Sequence, residues 1–167
     1  MHEGPVIVNN TPLVALWTLR RLDLLRDLYG EVLTPTAVHG EFLAVEQVQR
    51  RTILAAATWI RPTALDDIRR ADTFVGIGRG EAEVLALAQE LHARLVIIDD
   101  RRARRFAKRL EVPLTGTLGV LLLAKSRGLV ATVQPLIHEL QMSGIFFSSS
   151  LVQSVLELAG EERPTVI

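Results

Sequence analysis

The chain reads as an α/β protein with a parallel sheet and helices on both faces. Two features predict this. Short apolar runs, too brief for helices, alternate with longer stretches whose apolar residues recur every three or four positions. Acidic or amide side chains also gather where strands should hand over to helices, in VIVNNTPLVAL, GRGEAEVLALA and LVIIDDRRARR.

Positions 6–8, Val-Ile-Val, suit a buried parallel strand. Thr11 is a candidate cap with Pro12 at the first helical position, and helical spacing then runs from 13 to 28 until Gly30 stops it. Residues 31–34 form a second strand. Thr34-Pro35 repeats the cap-and-proline start and opens a helix through Glu41. A helix over 47–57 and a short strand over 59–62 follow. Residues 66–80 carry charge and then three glycines, and read as a loop with at most a short helix.

Strong helix formers fill 81–91. The clearest strand is 95–98, after which Asp99 or Asp100 caps a helix with an apolar stripe at Ala103, Phe106, Ala107 and Leu110. A last short strand covers 113–115. Helices follow over 117–127, 133–142 and 150–159, with Gly128, Gly144 and Gly160 as stops. The Ser148-Ser149-Ser150 run is a helix cap rather than a nucleophile.

At 167 residues, 49% hydrophobic and 23% charged, the chain is expected to form one domain with a core that needs no staples. With no Cys, disulfides and zinc–thiolate sites are excluded, which fits a cytoplasmic protein. The start, MHEGPVIV, has no signal-peptide pattern, and no apolar stretch is long enough for a membrane span. A net charge of zero argues against coating nucleic acid, although an acidic site and a basic rim also cancel.

Open α/β sheets place their sites beyond the carboxyl ends of the strands. Asn9, Glu81, Asp99 and Asp100 converge there in this reading, with Glu41 added from a helix. Oxygen donors without Cys or ligand-spaced His suit a hard divalent cation. The bland readings are a turn and cap at Asn9-Asn10-Thr11, a solvated Glu41, and aspartates offset by Arg101, Arg102, Arg104 and Arg105. Glu81 and Glu83 point roughly 200° apart on a helix, so Glu83 is read as solvated or paired. Residues 76–80, GIGRG, lack the phosphate-loop spacing, which leaves a nucleotide switch without support. None of His2, His39, His92 and His138 shares metal-ligand spacing with another.

The set VNNTPLVAL, LDLLRDLYGEVLTPTAVHGEF, GRGEAEVLALA, LVIIDDRRARRFAKRL and PLTGTLGVLLLAKSRGLV resembles the PIN domain, in the PIN-like branch of unassigned function related to VapC-type toxin ribonucleases. The resemblance implies a Rossmann-like α/β/α sandwich over 1–167, with a core to about 130 and a helical tail from 131. It implies a Mg²⁺- or Mn²⁺-dependent ribonuclease site. Asn9 stands where the family usually has its first Asp, and Glu41, Glu81 and Asp100 match the other acids, with Asp99 beside the last. Glu41, Glu81 and Asp100 are the catalytic candidates. Arg101, Arg102, Arg104, Arg105, Thr115 and Thr117 are the candidates for holding RNA. An antitoxin protein and a homodimer are the implied partners. Asn9, which brings no charge, supports an alternative: a PIN-like module, binding nucleic acid or protein, with weakened chemistry. Of the two aspartates, Asp100 is expected to be the ligand, and Asp99 to accept backbone N–H bonds or an Arg contact.

Overall fold

The computed structural model describes residues 3–45 and 47–161. Five strands, β1 (Val6–Val8), β2 (Val32–Pro35), β3 (Ile60–Thr63), β4 (Leu95–Ile97) and β5 (Leu114–Thr115), form one sheet in the order β3-β2-β1-β4-β5. Every pairing is parallel, with Val6 opposite both Val32 and Leu95. The chain builds outward from β1 through β2 to β3, then returns to the other side of β1 for β4 and β5. The order therefore reverses between β1 and β4, where such sheets open a crevice at their carboxyl ends. All three residues of β1 are fully buried, as a central strand covered on both faces requires.

Nine helices are described: α1 (Asn10–Thr18), α2 (Asp23–Tyr29), α3 (Thr36–Leu43), α4 (Gln47–Ala56), α5 (Arg79–Glu90), α6 (Arg101–Arg109), α7 (Thr117–Ser126), α8 (Gln134–Met142) and α9 (Ser149–Leu158). The irregular stretch holds one short 3-10 turn, Ile68–Thr73. α5 packs on β1 and β2, and also touches α3 and α6. α7 joins α1 and α2 to the C-terminal α9. Glu161 secures the tail: its carboxylate accepts from the Val133 and Gln134 N–H groups and from Lys125 Nζ. Ser148 caps α9 as expected, its hydroxyl accepting from the Leu151 N–H at 3.3 Å. No described helix is long and apolar enough to cross a membrane.

Several boundaries differ from the sequence expectation. α1 begins at Asn10 with Asn9 at the cap position, so Thr11 and Pro12 lie inside the first turn. Pro35 ends β2 and precedes α3 rather than starting it. α5 begins at Arg79, within the expected loop. The single helix expected over 13–28 is two helices, broken after Thr18. Arg20 there adopts φ 57°, its N–H donates to Trp17 O, and the Arg21 N–H reaches back to Leu16 O at 2.8 Å. This is the Schellman ending usually built on glycine. His92 and Glu111 close α5 and α6 the same way, at φ 51° and 57°.

A side chain in this left-handed region costs about 1–2 kcal/mol, partly offset by the greater freedom glycine has when unfolded. Glu111 is exposed. Glu111→Gly is therefore expected to stabilise the protein by about 0.5–1 kcal/mol in urea denaturation. A loss of stability would show that the Glu111 side chain contributes more than its backbone strain costs.

Candidate functional site

At the carboxyl end of β1 the backbone N–H of Asn9 still donates to Ile97 O at 3.0 Å, tying this residue to β4. The Asn9 side chain is 1% exposed. Its Nδ2 donates to Glu81 Oε1 at 3.4 Å, and its Oδ1 has no partner. The opposite amide orientation would set the oxygen against the carboxylate, so Oδ1 is the free acceptor. A buried acceptor left unpaired costs about 1–3 kcal/mol, so its presence calls for an explanation.

Glu81 stands in the first turn of α5 and folds back over Gly78. Glu41 arrives from α3, with its carboxylate lying over Gly80. A Cβ at Gly80 would fall 2.5 Å from Glu41 Oε1, so only glycine leaves the carboxylate where it is. Burial raises the Glu41 pKa above the usual carboxylate range, and the Glu81 charge raises it further, against a hydrogen bond from the Gly80 backbone. Two acids and an amide oxygen thus meet beside β1.

Glu83 is neither solvated nor part of this group. It is 3% exposed. Its Oε2 accepts the Ala37 N–H at 3.1 Å and its Oε1 the Arg79 guanidinium at 3.0 Å. Pro35, at the cap position of α3, has no side-chain oxygen to offer, and Glu83 supplies one from α5. Arg79 in turn bonds Asp72 at 2.8 Å. No local pattern exposes this role, because it depends on α3 and α5 lying side by side.

The two aspartates divide their duties. Asp100 caps α6, accepting the Ala103 N–H at 2.8 Å, and is exposed. Asp99 accepts the Thr117 N–H at 2.8 Å and the Thr117 hydroxyl at 2.5 Å. Asp99 thus takes the backbone bond expected of it, and the helix cap falls to Asp100. Gly116 makes room here, since a Cβ on it would lie 2.5 Å from Asp99 Oδ1 and 3.2 Å from Arg104 Nη1. Burial raises the Asp99 pKa, opposed by the Thr117 bonds and the Arg104 charge.

The arginines also separate. Arg104 turns toward the strand ends and donates to Ile98 O at 2.9 Å. Arg102 donates to Gly76 O at 3.2 Å, while Arg101 and Arg105 are exposed. Thr117 is buried, and Thr115 is half-buried against Gly119. Among the described residues no three His, Cys, Asp or Glu side chains come together as a metal-holding group. The candidate donor set is therefore Glu41, Glu81 and the unpartnered Asn9 Oδ1. This set is all oxygen and carries two negative charges, which fits a hard divalent cation.

Two expectations follow. Because Glu41 and Asp99 have raised pKa values, the cation-free folded chain binds more protons than the unfolded chain in the window from the ordinary carboxylate values up to the raised ones. Stability then falls as pH rises through that window. Glu41→Gln should flatten part of this fall and raise the cation-free melting temperature at neutral pH, as measured by scanning calorimetry. Gly80→Ala should keep or improve stability, by up to about 1 kcal/mol from helix propensity, while displacing the Glu41 carboxylate. Isothermal titration with Mn²⁺ should show at least a severalfold weaker affinity in that variant. Unchanged affinity would remove Glu41 from the donor set.

No curated protein matches the chain significantly. A family model described as a PIN domain matches residues 5–161, from the start of β1 to the end of the C-terminal helices. That match spans nearly the whole parallel sheet and every residue of the acidic site, and its nuclease-like fold is the one seen here: the chain belongs to a PIN-domain family of unassigned function.

Proposed function

We propose that this protein is a divalent-cation-dependent ribonuclease. The observation that supports it most is the buried, unpartnered Oδ1 of Asn9, whose Nδ2 meets the Glu81 carboxylate that in turn acts on Glu41. Glu41, Glu81 and Asn9 would hold Mg²⁺ or Mn²⁺. A bound cation supplies Lewis-acid stabilisation of charge on a phosphodiester and a more acidic water. Asp100 caps α6 through one oxygen and would offer the other as the strand-end acid of the site, while Asp99, held by Thr117 through both oxygens, would position that end. Thr117 would fix the orientation of Asp99, whose pKa is raised by burial. Arg104 would add positive charge beside the scissile phosphate.

Within this reading the chain is the toxin of a toxin–antitoxin pair, cytoplasmic, and paired with a second copy and an antitoxin protein. The resemblance to VapC-type toxins supports this. So do the exposed Val48, Phe146 and Leu158, which offer apolar surface for such contacts. A second reading, a binding module with weakened chemistry, is favoured by Asn9, which contributes an oxygen but no charge.

Cleavage of a single-stranded RNA pool in Mn²⁺ separates the two. The ribonuclease reading expects cleavage by the native protein, a loss of about a hundredfold or more in Glu81→Gln, and a gain in Asn9→Asp. If the native protein neither binds Mn²⁺ nor cleaves, and Asn9→Asp gains both, the chain is a binding module.

A further inference from the structure

A second feature lies along α6, the helix that Asp100 caps. Arg102, Arg105 and Arg109, spaced i, i+3 and i+7, line one hollow of about 260 Å³ with Val75, Gly76 and Phe106. Their positions span roughly 10 Å of one helix face. None of the three has a carboxylate partner among the described residues. Like charges gathered in one hollow repel unless an anion offsets them. The rest of the lining is apolar. Val75 is 80% exposed, so its apolar surface is open to a ligand in the hollow. Phe106 packs near-perpendicular to Phe74, with ring centroids 5.4 Å apart, and the Arg109 guanidinium lies over its ring at 5.9 Å.

We propose that this hollow is a nucleotide subsite, in which the three arginines take the phosphate and Val75 with Phe106 takes the base of one unpaired nucleotide. A flat apolar base joined to an anionic phosphate is the ligand whose two halves match the two halves of the lining. An acidic peptide would satisfy the arginines but leave Val75 uncovered. The turn at Gly76 leads within five residues to Glu81, and Gly78 between them touches the Glu81 carboxylate. This short stretch of chain joins the lining of the hollow to the acidic site. The proposal rests on the ribonuclease reading for the identity of the RNA, and not on cleavage itself.

The test is fluorescence anisotropy of a short single-stranded RNA labelled at its 3′ end, in EDTA so that nothing is cut. Arg105→Ala/Arg109→Ala is expected to weaken binding at least tenfold. It should also reduce the slope of log K against log salt by about 0.7, the value for one lost phosphate contact on a single strand. Val75→Asp, which sets a carboxylate at the mouth, should weaken binding about fivefold. The exposed Arg127, at α7's C-terminal end, gives a control for the loss of an exposed positive charge outside the hollow, and Arg127→Ala should stay within twofold. Thermal melting of each variant checks that it is folded. Unchanged affinity in the double variant, an equal loss in Arg127→Ala, equal binding of the duplex form, or tighter binding of a poly-glutamate peptide would each overturn the subsite. If RNA binds through Arg105 and Arg109 but Mn²⁺ never elicits cleavage, only the catalytic reading falls. Cleavage with unchanged binding in the double variant would remove only the subsite.

Discussion

One buried carboxylate sets the distance between the two helices that carry the acids. Glu83 is almost wholly withdrawn from water. Removing a carboxylate from water costs several kcal/mol unless its oxygens find donors. Both oxygens do: one takes the Ala37 N–H at the start of α3, the other the Arg79 guanidinium on α5. The positive end of the α3 dipole adds to the compensation. The geometry that satisfies Glu83 also brings α3 against α5, and so brings Glu41 over Gly80 and toward Glu81. A different packing of the two helices would leave a buried charge unpaired, and that penalty holds the arrangement in place.

The charge of the chain sums to zero, yet its distribution is far from uniform. Acids meet at the point where the sheet reverses its order, between β1 and β4. Basic residues gather on the helix that follows β4. The two regions meet at Asp99, whose carboxylate faces Thr117 while Arg104 lies beside it. Focused fields of opposite sign a short distance apart suit a ligand that carries both cations and anions. A phosphodiester strand with its counterions is such a ligand.

Much of this was legible in the residues. The sheet class followed from short apolar runs between helical stretches, and strands β1 and β4 fell where those runs were. Gly128, Gly144 and Gly160 marked helix ends because glycine adopts positive φ freely. The break at Arg20 was not legible, because an arginine there gives no such signal and the apolar spacing runs on past it. The start of α5 was obscured by glycines that read as loop. The sequence leaves Glu83 solvated or paired; the pairing holds, with Arg79, and only the neighbouring helix reveals the burial. The division between Asp99 and Asp100 depended on whether the chain turned into α6 one residue earlier or later, which neither alternation nor capping preference decides.

The three left-handed endings at residues 20, 92 and 111 lie away from the acids, and two of them turn directly from a helix into a strand at the sheet's amino edge. The two rims of the sheet therefore do different work. At one rim tight backbone turns return the chain to the sheet, helped by bonds such as Arg94 to Tyr29 O. At the other, side chains converge and loops are free to vary. Changes that relax the first rim reach the second through the strands, of which the central β1 is fully buried. Thermal robustness and chemistry are in this way separately adjustable, and a variant hardened at the amino edge should inherit its site unaltered.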